Sequence, residues 1–180
     1  MNRSVKINQT IILFAALLFG SSMYAQHDHS HHQKQTMNHD SEHKMSASFE
    51  NEQFTVVYNT YIQIKDALAM DKKEESRKGA SQLFELLEGI PNGSEAQKEA
   101  ENMANSKSLK EQREIFVELS DKMASLVKEN ELTHGEVYIA HCPMANNNEG
   151  AHWLSNEKEI ANPYFGTMMS KCGSVKEIIK

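Results

Sequence analysis

Residues 54–68 read FTVVYNTYIQIKDAL and decide the fold class, because their apolar side chains recur with the period of an α-helix. The members of one face are separated by three or four residues, and they are Phe54, Val57, Tyr58, Tyr61, Ile64, Lys65 and Leu68. Such spacing places side chains on one side of a helix and indicates that this side is buried. The sequence therefore predicts a first helix of about twenty residues, beginning near Phe49.

Three further segments continue the helical pattern. Asp71 and Glu74 form a capping box that predicts the start of a second helix, and Pro91-Asn92-Gly93 is a turn that ends it. Residues 94–105 and 108–132 carry the third and fourth stripes. Because the connections are short, we expect a mainly α fold, an up-and-down antiparallel bundle of about four helices. Three helical methionines are assigned to core packing: Met70, Met103 and Met123.

The helical period stops after Gly135. Residues 136–140 predict a short extended segment, which leads into an irregular segment that contains the two cysteines, several methionines and Trp153. Val175, Ile178 and Ile179 then have helical spacing and predict a short terminal helix. We expect residues 49–180 to form a single domain, with the Cys/Met/Trp segment packed on the bundle.

The first 25 residues have the pattern of a secretory signal peptide. Arg3 and Lys6 precede an apolar run at residues 11–19, and small residues lead to a predicted cleavage site after Ala25. The run is shorter than the roughly 20 residues that span a bilayer, so no membrane anchor is expected after cleavage. The spacing is typical of bacteria and favours the periplasm.

Residues 26–48 form a polar segment that contains six of the nine histidines. We expect this tail to be disordered and to bind metal, because several imidazoles on a flexible chain can converge on one ion. The candidate ligands are His27, His29, His31, His32, His39, His43, Met37 and Met45. The chain as a whole has a formal charge of −6 and no basic cluster, which argues against nucleic acid as a partner.

The second candidate metal site is the segment from His141 to Gly173. Sulfur ligands select Cu(I), and imidazole suits copper and zinc, so Cu(I) is favoured, with Ag(I), Cu(II) and Zn(II) as the other candidates. Met168 or Met169 would share a face with Cys172 in a helical turn. The candidate ligands are Cys142, Met144, Met168, Met169, Cys172, His141 and His152.

A disulfide is the alternative interpretation of the two cysteines. Exported proteins are usually oxidised, so Cys142 and Cys172 would then form a covalent bridge in a structural or interaction domain. Metal binding would be confined to the His-rich tail. Both interpretations place the two cysteines near each other.

The motifs Cys-Pro-Met-Ala, Trp-Leu-Ser, Asn-Pro-Tyr-Phe-Gly and Met-x-x-Cys-Gly occur in order within residues 142–173. With residues 61–68, this set resembles a bacterial periplasmic domain family of formally unknown function, found alone or fused to adaptor subunits of heavy-metal efflux pumps of the resistance-nodulation-division type. The resemblance covers about residues 52–180. It implies a helical bundle with the Cys/Met/Trp segment laid against it, and a role in copper or silver handling beside efflux.

The sequence contains none of the motifs that would indicate an enzyme, such as a Cys-x-x-Cys pair, a nucleophile elbow, a phosphate loop or a zincin motif. We therefore expect a non-catalytic, soluble, exported metal-binding protein. Its expected partners are the metal ion and a periplasmic adaptor of an efflux pump.

Overall fold

The computed structural model describes residues 46–180. The predicted signal peptide lies outside the described residues, and so do the tail ligands His27, His29, His31, His32, Met37, His39, His43 and Met45. In the described part of the chain, no helix is both long and apolar enough to cross a membrane.

Four long helices contain nearly half of the described residues, and the mainly α prediction is confirmed. They are α1 (Glu52–Ala69), α2 (Lys73–Leu86), α3 (Ser94–Ala104) and α4 (Leu109–Glu129). Each packs against the next along the chain, and α4 also contacts α1 and α2. The Asn51 side chain caps α1 by accepting a hydrogen bond from the Phe54 amide, and Ser108 caps α4 in the same way through Glu111.

The predicted capping box of Asp71 and Glu74 is wrong. Helix α2 begins at Lys73 and has no side-chain cap, while Asp71 has a left-handed backbone with φ of 60°. The Asp71 carboxylate instead accepts hydrogen bonds from Arg113 on α4 and from Thr167 in the C-terminal region. Asp71 therefore binds long-range partners and does not cap α2.

The assignment of the three helical methionines to the core is correct for two of them. Met103 and Met123 are fully buried, whereas Met70 is 59% exposed, so its assignment to the core is wrong.

The region after α4 is a sheet, and this corrects two expectations. A two-stranded pair joins β1 (Ser48–Phe49) to β2 (Leu132–His134), and an antiparallel sheet of order β4-β3-β5 follows. Its strands are β3 (Val137–Cys142), β4 (Ala151–Ser155) and β5 (Ser174–Ile179). The segment expected to be irregular thus contributes one strand, β4, which pairs with β3.

The predicted terminal helix is wrong because its residues form β5. Val175, Ile178 and Ile179 do have helical spacing, but six residues are too few to sustain a helix without neighbours, and β-branched side chains favour a strand. Pairing with β3 supplies the backbone partners, and a bulge opposite Ile139 and Ala140 interrupts the alternation of β5. Because of this bulge, the apolar residues of β5 do not alternate strictly, and the sequence lacks the two-residue period that would indicate a strand.

The core lies between the helices and the sheet. Strand β4 packs against α4 and α1, and its Trp153 is 1% exposed. The Tyr61 ring of α1 stacks on Phe116 of α4 with ring centroids 5.3 Å apart. Its hydroxyl shares a 2.8 Å hydrogen bond with Ser120 and accepts one of 3.1 Å from the Leu154 amide of β4. Helices and sheet therefore form one packed core.

Candidate metal and cysteine site

The two cysteines meet at the end of the sheet. Cys142 is the last residue of β3 and is buried, and Cys172 lies just before β5 and is half-buried. The β3–β5 register pairs His141 with Ser174. This pairing brings Cys142, which follows His141, close to Cys172, which is two residues before Ser174. The two Sγ atoms are 2.6 Å apart. The expectation that these cysteines lie together is confirmed.

Asn162 holds the loop that carries Cys172. Its side chain is fully buried, and its amide nitrogen donates a 2.7 Å hydrogen bond to the backbone carbonyl of Cys172. Its amide oxygen accepts hydrogen bonds from the backbone amides of Tyr164 and Phe165. The Asn-Pro-Tyr-Phe-Gly motif is therefore a turn built around one buried amide, which fixes the approach of Cys172 to Cys142.

Gly173 completes this arrangement. Its φ is 136°, and a Cβ atom at this position would lie 2.8 Å from Cη2 of Trp153 and 2.9 Å from the His141 carbonyl oxygen. Only glycine combines this backbone conformation with so close an approach. The Cys-Gly pair thus lets the chain pass over the buried Trp153 and enter β5.

The two sulfur atoms belong to free cysteines, and their separation lies between that of a disulfide and that of two ligands of one metal ion. Two thiolates bound to one tetrahedral zinc at about 2.3 Å would be about 3.8 Å apart, and a disulfide bond is about 2.04 Å long. At 2.6 Å, Cys142 and Cys172 are closer than two metal ligands would be. A hydrogen bond to Cys142, burial and charge repulsion from Cys142 all raise the pKa of the Cys172 thiol.

The exposed methionines lie in a groove. Met144 and Met168 are 49% and 77% exposed, and both line a surface cavity of about 450 Å³. The aromatic rings of Tyr164 and Phe165 line the same cavity. We call this cavity the thioether groove. Met169 is half-buried in the single 3₁₀ turn Gly166–Met169 that presents Met168.

The two candidate histidines lie on the opposite face of β3 from Cys142. His141 and His152 are directly opposite each other in the β3–β4 register, and their ring centroids are 4.5 Å apart. Because side chains alternate along a strand, His141 and its neighbour Cys142 point to opposite faces of the sheet. Burial, then the nearby His152 and Lys176, lower the pKa of His141.

The predicted ligands are thus distributed over three places: the cysteine pair, the thioether groove and the histidine pair. Within residues 46–180 no group of three or more His, Cys, Asp or Glu side chains converges as a metal-ligand set.

Sequence reasoning missed a polar contact that positions the groove. Arg113 donates hydrogen bonds to the Asp71 carboxylate at 2.5 Å, to the Leu68 carbonyl and to the Pro163 carbonyl. Thr167 donates to the same carboxylate from its amide and its hydroxyl. We call Asp71, Arg113 and Thr167 the polar clamp. The Asn-Pro-Tyr-Phe-Gly motif ends just before Thr167. No spacing in the sequence indicated that Asp71 and Arg113 contact each other.

Residues 57–135 match a family model described as a protein of unknown function, DUF3347. No curated protein and no solved structure shows significant similarity to the chain. The matched stretch covers most of α1, all of α2 to α4, and β2, and it ends before β3 begins.

Proposed function

We propose that this protein is an exported binding protein for Cu(I) or Ag(I) that buffers the ion or delivers it beside a heavy-metal efflux pump. The observation that carries the proposal is that two exposed methionines, Met144 and Met168, line the same groove. Thioether sulfur is a soft ligand that selects Cu(I) over hard cations. Water-exposed methionines that share a groove are therefore placed to receive a soft ion.

The charges around the groove are compatible with a cation. Two basic residues line it, but Lys110 pairs with Glu114 at 3.1 Å and Arg113 pairs with Asp71 at 2.5 Å. Each positive charge is thus balanced by a carboxylate on or beside the groove. Tyr164 and Phe165 add apolar surface, which strengthens the preference for a soft, weakly hydrated ion.

The cysteines would act as a support for the groove and not as its ligands. A bridge between Cys142 and Cys172 would fix both ends of the segment that carries Met144 and Met168. The tail at residues 26–48 would capture ions for this site. The export signal and the resemblance to domains fused to efflux adaptors support a periplasmic location and an adaptor as the partner.

The test is an anaerobic Cu(I) titration of the mature chain against a chromophoric competitor. The tail histidines and methionines are first replaced by Gln and Leu, so that the remaining binding reports on the folded domain. Replacing both Met144 and Met168 by Leu should abolish the tight Cu(I) binding that remains after the tail ligands are replaced. Leu matches Met in volume but offers no sulfur ligand. Met70→Leu is the matched control, because Met70 is also exposed and lies outside the groove lining. Unchanged affinity in the double variant would refute the thioether groove as the site.

A second function is favoured by the 2.6 Å separation of the sulfur atoms. In this alternative the domain is a non-catalytic structural or interaction module that contains a Cys142–Cys172 disulfide, and metal binding resides only in the tail. The same titration distinguishes the two, because all Cu(I) binding would then disappear when the tail ligands are replaced, whatever residue occupies positions 144 and 168.

A further inference from the structure

The outer face of the β3–β4 pair carries two imidazoles that nothing in the fold uses. His141 and His152 are cross-strand partners, and neither ring has a hydrogen-bond partner within residues 46–180. His152 is exposed and His141 is half-buried. Imidazole nitrogens that lack a partner, held side by side on a rigid sheet, are available to an ion from solvent.

We propose that His141 and His152 form a separate binding site for Cu(II), with two imidazoles as adjacent ligands. This site is independent of the thioether groove, because it lies on the other face of β3 from Cys142 and has different ligand chemistry. Imidazole ligands suit Cu(II), which has the highest affinity among the first-row divalent ions for such sites.

The distance between the rings fits this ion. An ion bound to a ring nitrogen at about 2.0–2.1 Å lies about 3.2 Å from the ring centroid, so two ligands at a right angle have centroids about 4.5 Å apart. Two ligands of a tetrahedral ion would have centroids about 5.2 Å apart. The observed rings are tilted by 42° with centroids 4.5 Å apart, a spacing compatible with the tetragonal arrangement that Cu(II) prefers.

Two neighbours shape the site. A Cβ atom at Gly150 would lie 2.5 Å from Nε2 of His141, so glycine keeps this nitrogen free of a covering side chain. Lys176 on β5 lies close enough to His141 to lower its pKa, and its positive charge opposes a bound cation. We therefore expect Lys176→Gln to strengthen binding by up to about fivefold, the scale of exposed charge interactions.

The experiment is a Cu(II) titration of the mature, air-oxidised chain in which the six tail histidines are replaced by Gln. Imidazole resonances are followed by NMR. At low Cu(II), the His141 and His152 signals should broaden together, while His134, which lies on β2, should remain sharp. Either His141→Gln or His152→Gln should weaken Cu(II) binding at least about tenfold, because the second imidazole acts as a tethered ligand with a high effective concentration.

Three results would overturn the site. The first is equal broadening of His134, and the second is unchanged Cu(II) affinity in either single variant. His152 is exposed, so His152→Gln should leave the amide spectrum of the folded domain intact. If His141→Gln does not fold, the Cu(II) affinity of His152→Gln decides the question. The third is loss of broadening at both histidines in the Met144→Leu, Met168→Leu variant, which would show that they belong to the groove.

Discussion

The side-chain amide of Asn162 donates a 2.7 Å hydrogen bond to the backbone carbonyl of Cys172, so a fully buried residue fixes the position of a half-buried thiol. The same side chain also accepts two backbone hydrogen bonds from the turn that follows it. One amide thus determines the path of the loop between β4 and β5.

Replacing Asn162 by Ala should therefore destabilise the protein and free Cys172. Three buried or part-buried hydrogen bonds lose their partner, and we expect a loss on the order of 3 kcal/mol in the free energy of unfolding. Urea denaturation measures this loss. Asn102→Ala on α3, where the exposed side chain bonds only to Glu99, is the control and should be nearly neutral. A similarly small effect at Asn162 would show that the loop is held by other contacts.

The cysteine pair should be oxidised in the exported protein. Because the Sγ atoms lie 2.6 Å apart, oxidation requires little movement of the backbone. We expect no reactive thiol before reduction, measured with a thiol reagent and by a mass two hydrogens lower than that of the reduced chain. Reduction should then lower the free energy of unfolding by roughly 3 to 4 kcal/mol, the chain-entropy value for a loop of about 30 residues. Two reactive thiols in protein kept free of reductant would contradict the bridge.

Gly166 and Gly89 allow the clamp to be tested with a matched pair. Both have positive φ, 57° and 79°. A Cβ atom at Gly166 would overlap the Asp71 and Arg113 side chains, whereas nothing lies within 4 Å of one at Gly89. Gly89→Ala should cost about 1 kcal/mol from backbone strain alone. Gly166→Ala should cost clearly more, because it also separates Asp71 from Arg113. Equal thermal shifts for the two variants would argue that the clamp adds no stability.

The clamp should also give the protein a defined acid sensitivity. Hydrogen bonds from Thr167 and Arg113 lower the pKa of Asp71 from its usual 3.8 to about 2. A carboxyl with a depressed folded-state pKa stabilises the fold above its unfolded pKa, and this contribution is lost as pH falls through the folded value. We therefore expect Asp71→Asn to lower stability above pH 4 and to have no effect below pH 2. Asn tolerates the positive φ of this position, and Glu101→Gln on α3 is the control. A difference between wild type and Asp71→Asn that is independent of pH would refute the assignment.

The sequence predicted what local patterns can encode. The stripe from Phe54 to Leu68 depends on neighbours within one or two turns, and its members are buried on α1 in the structure. The strand at 174–179 depends on pairing with β3, more than thirty residues away in the chain, and its spacing matched a helix by coincidence. Asp71 was predicted to cap a helix because local spacing was the only information available. Its partner Arg113 is 42 residues away in the chain, and such a contact leaves no local pattern. The candidate ligands were identified by residue type alone. That Cys142 and the histidine pair lie on opposite faces of β3 follows from the strand pairing, which the sequence did not reveal.

The hydrogen bond from the Leu154 amide to the Tyr61 hydroxyl has a practical consequence for defining the domain. The stretch that matches the family model ends at residue 135, before the strand that supplies this amide. A fragment cut there would expose the stacked rings of Tyr61 and Phe116 to water and remove the partners of Arg113 and Asp71 in the C-terminal turn. Expression trials and fusion proteins should therefore keep the four helices together with β3, β4 and β5, and a boundary placed at the end of the helices should yield aggregated protein.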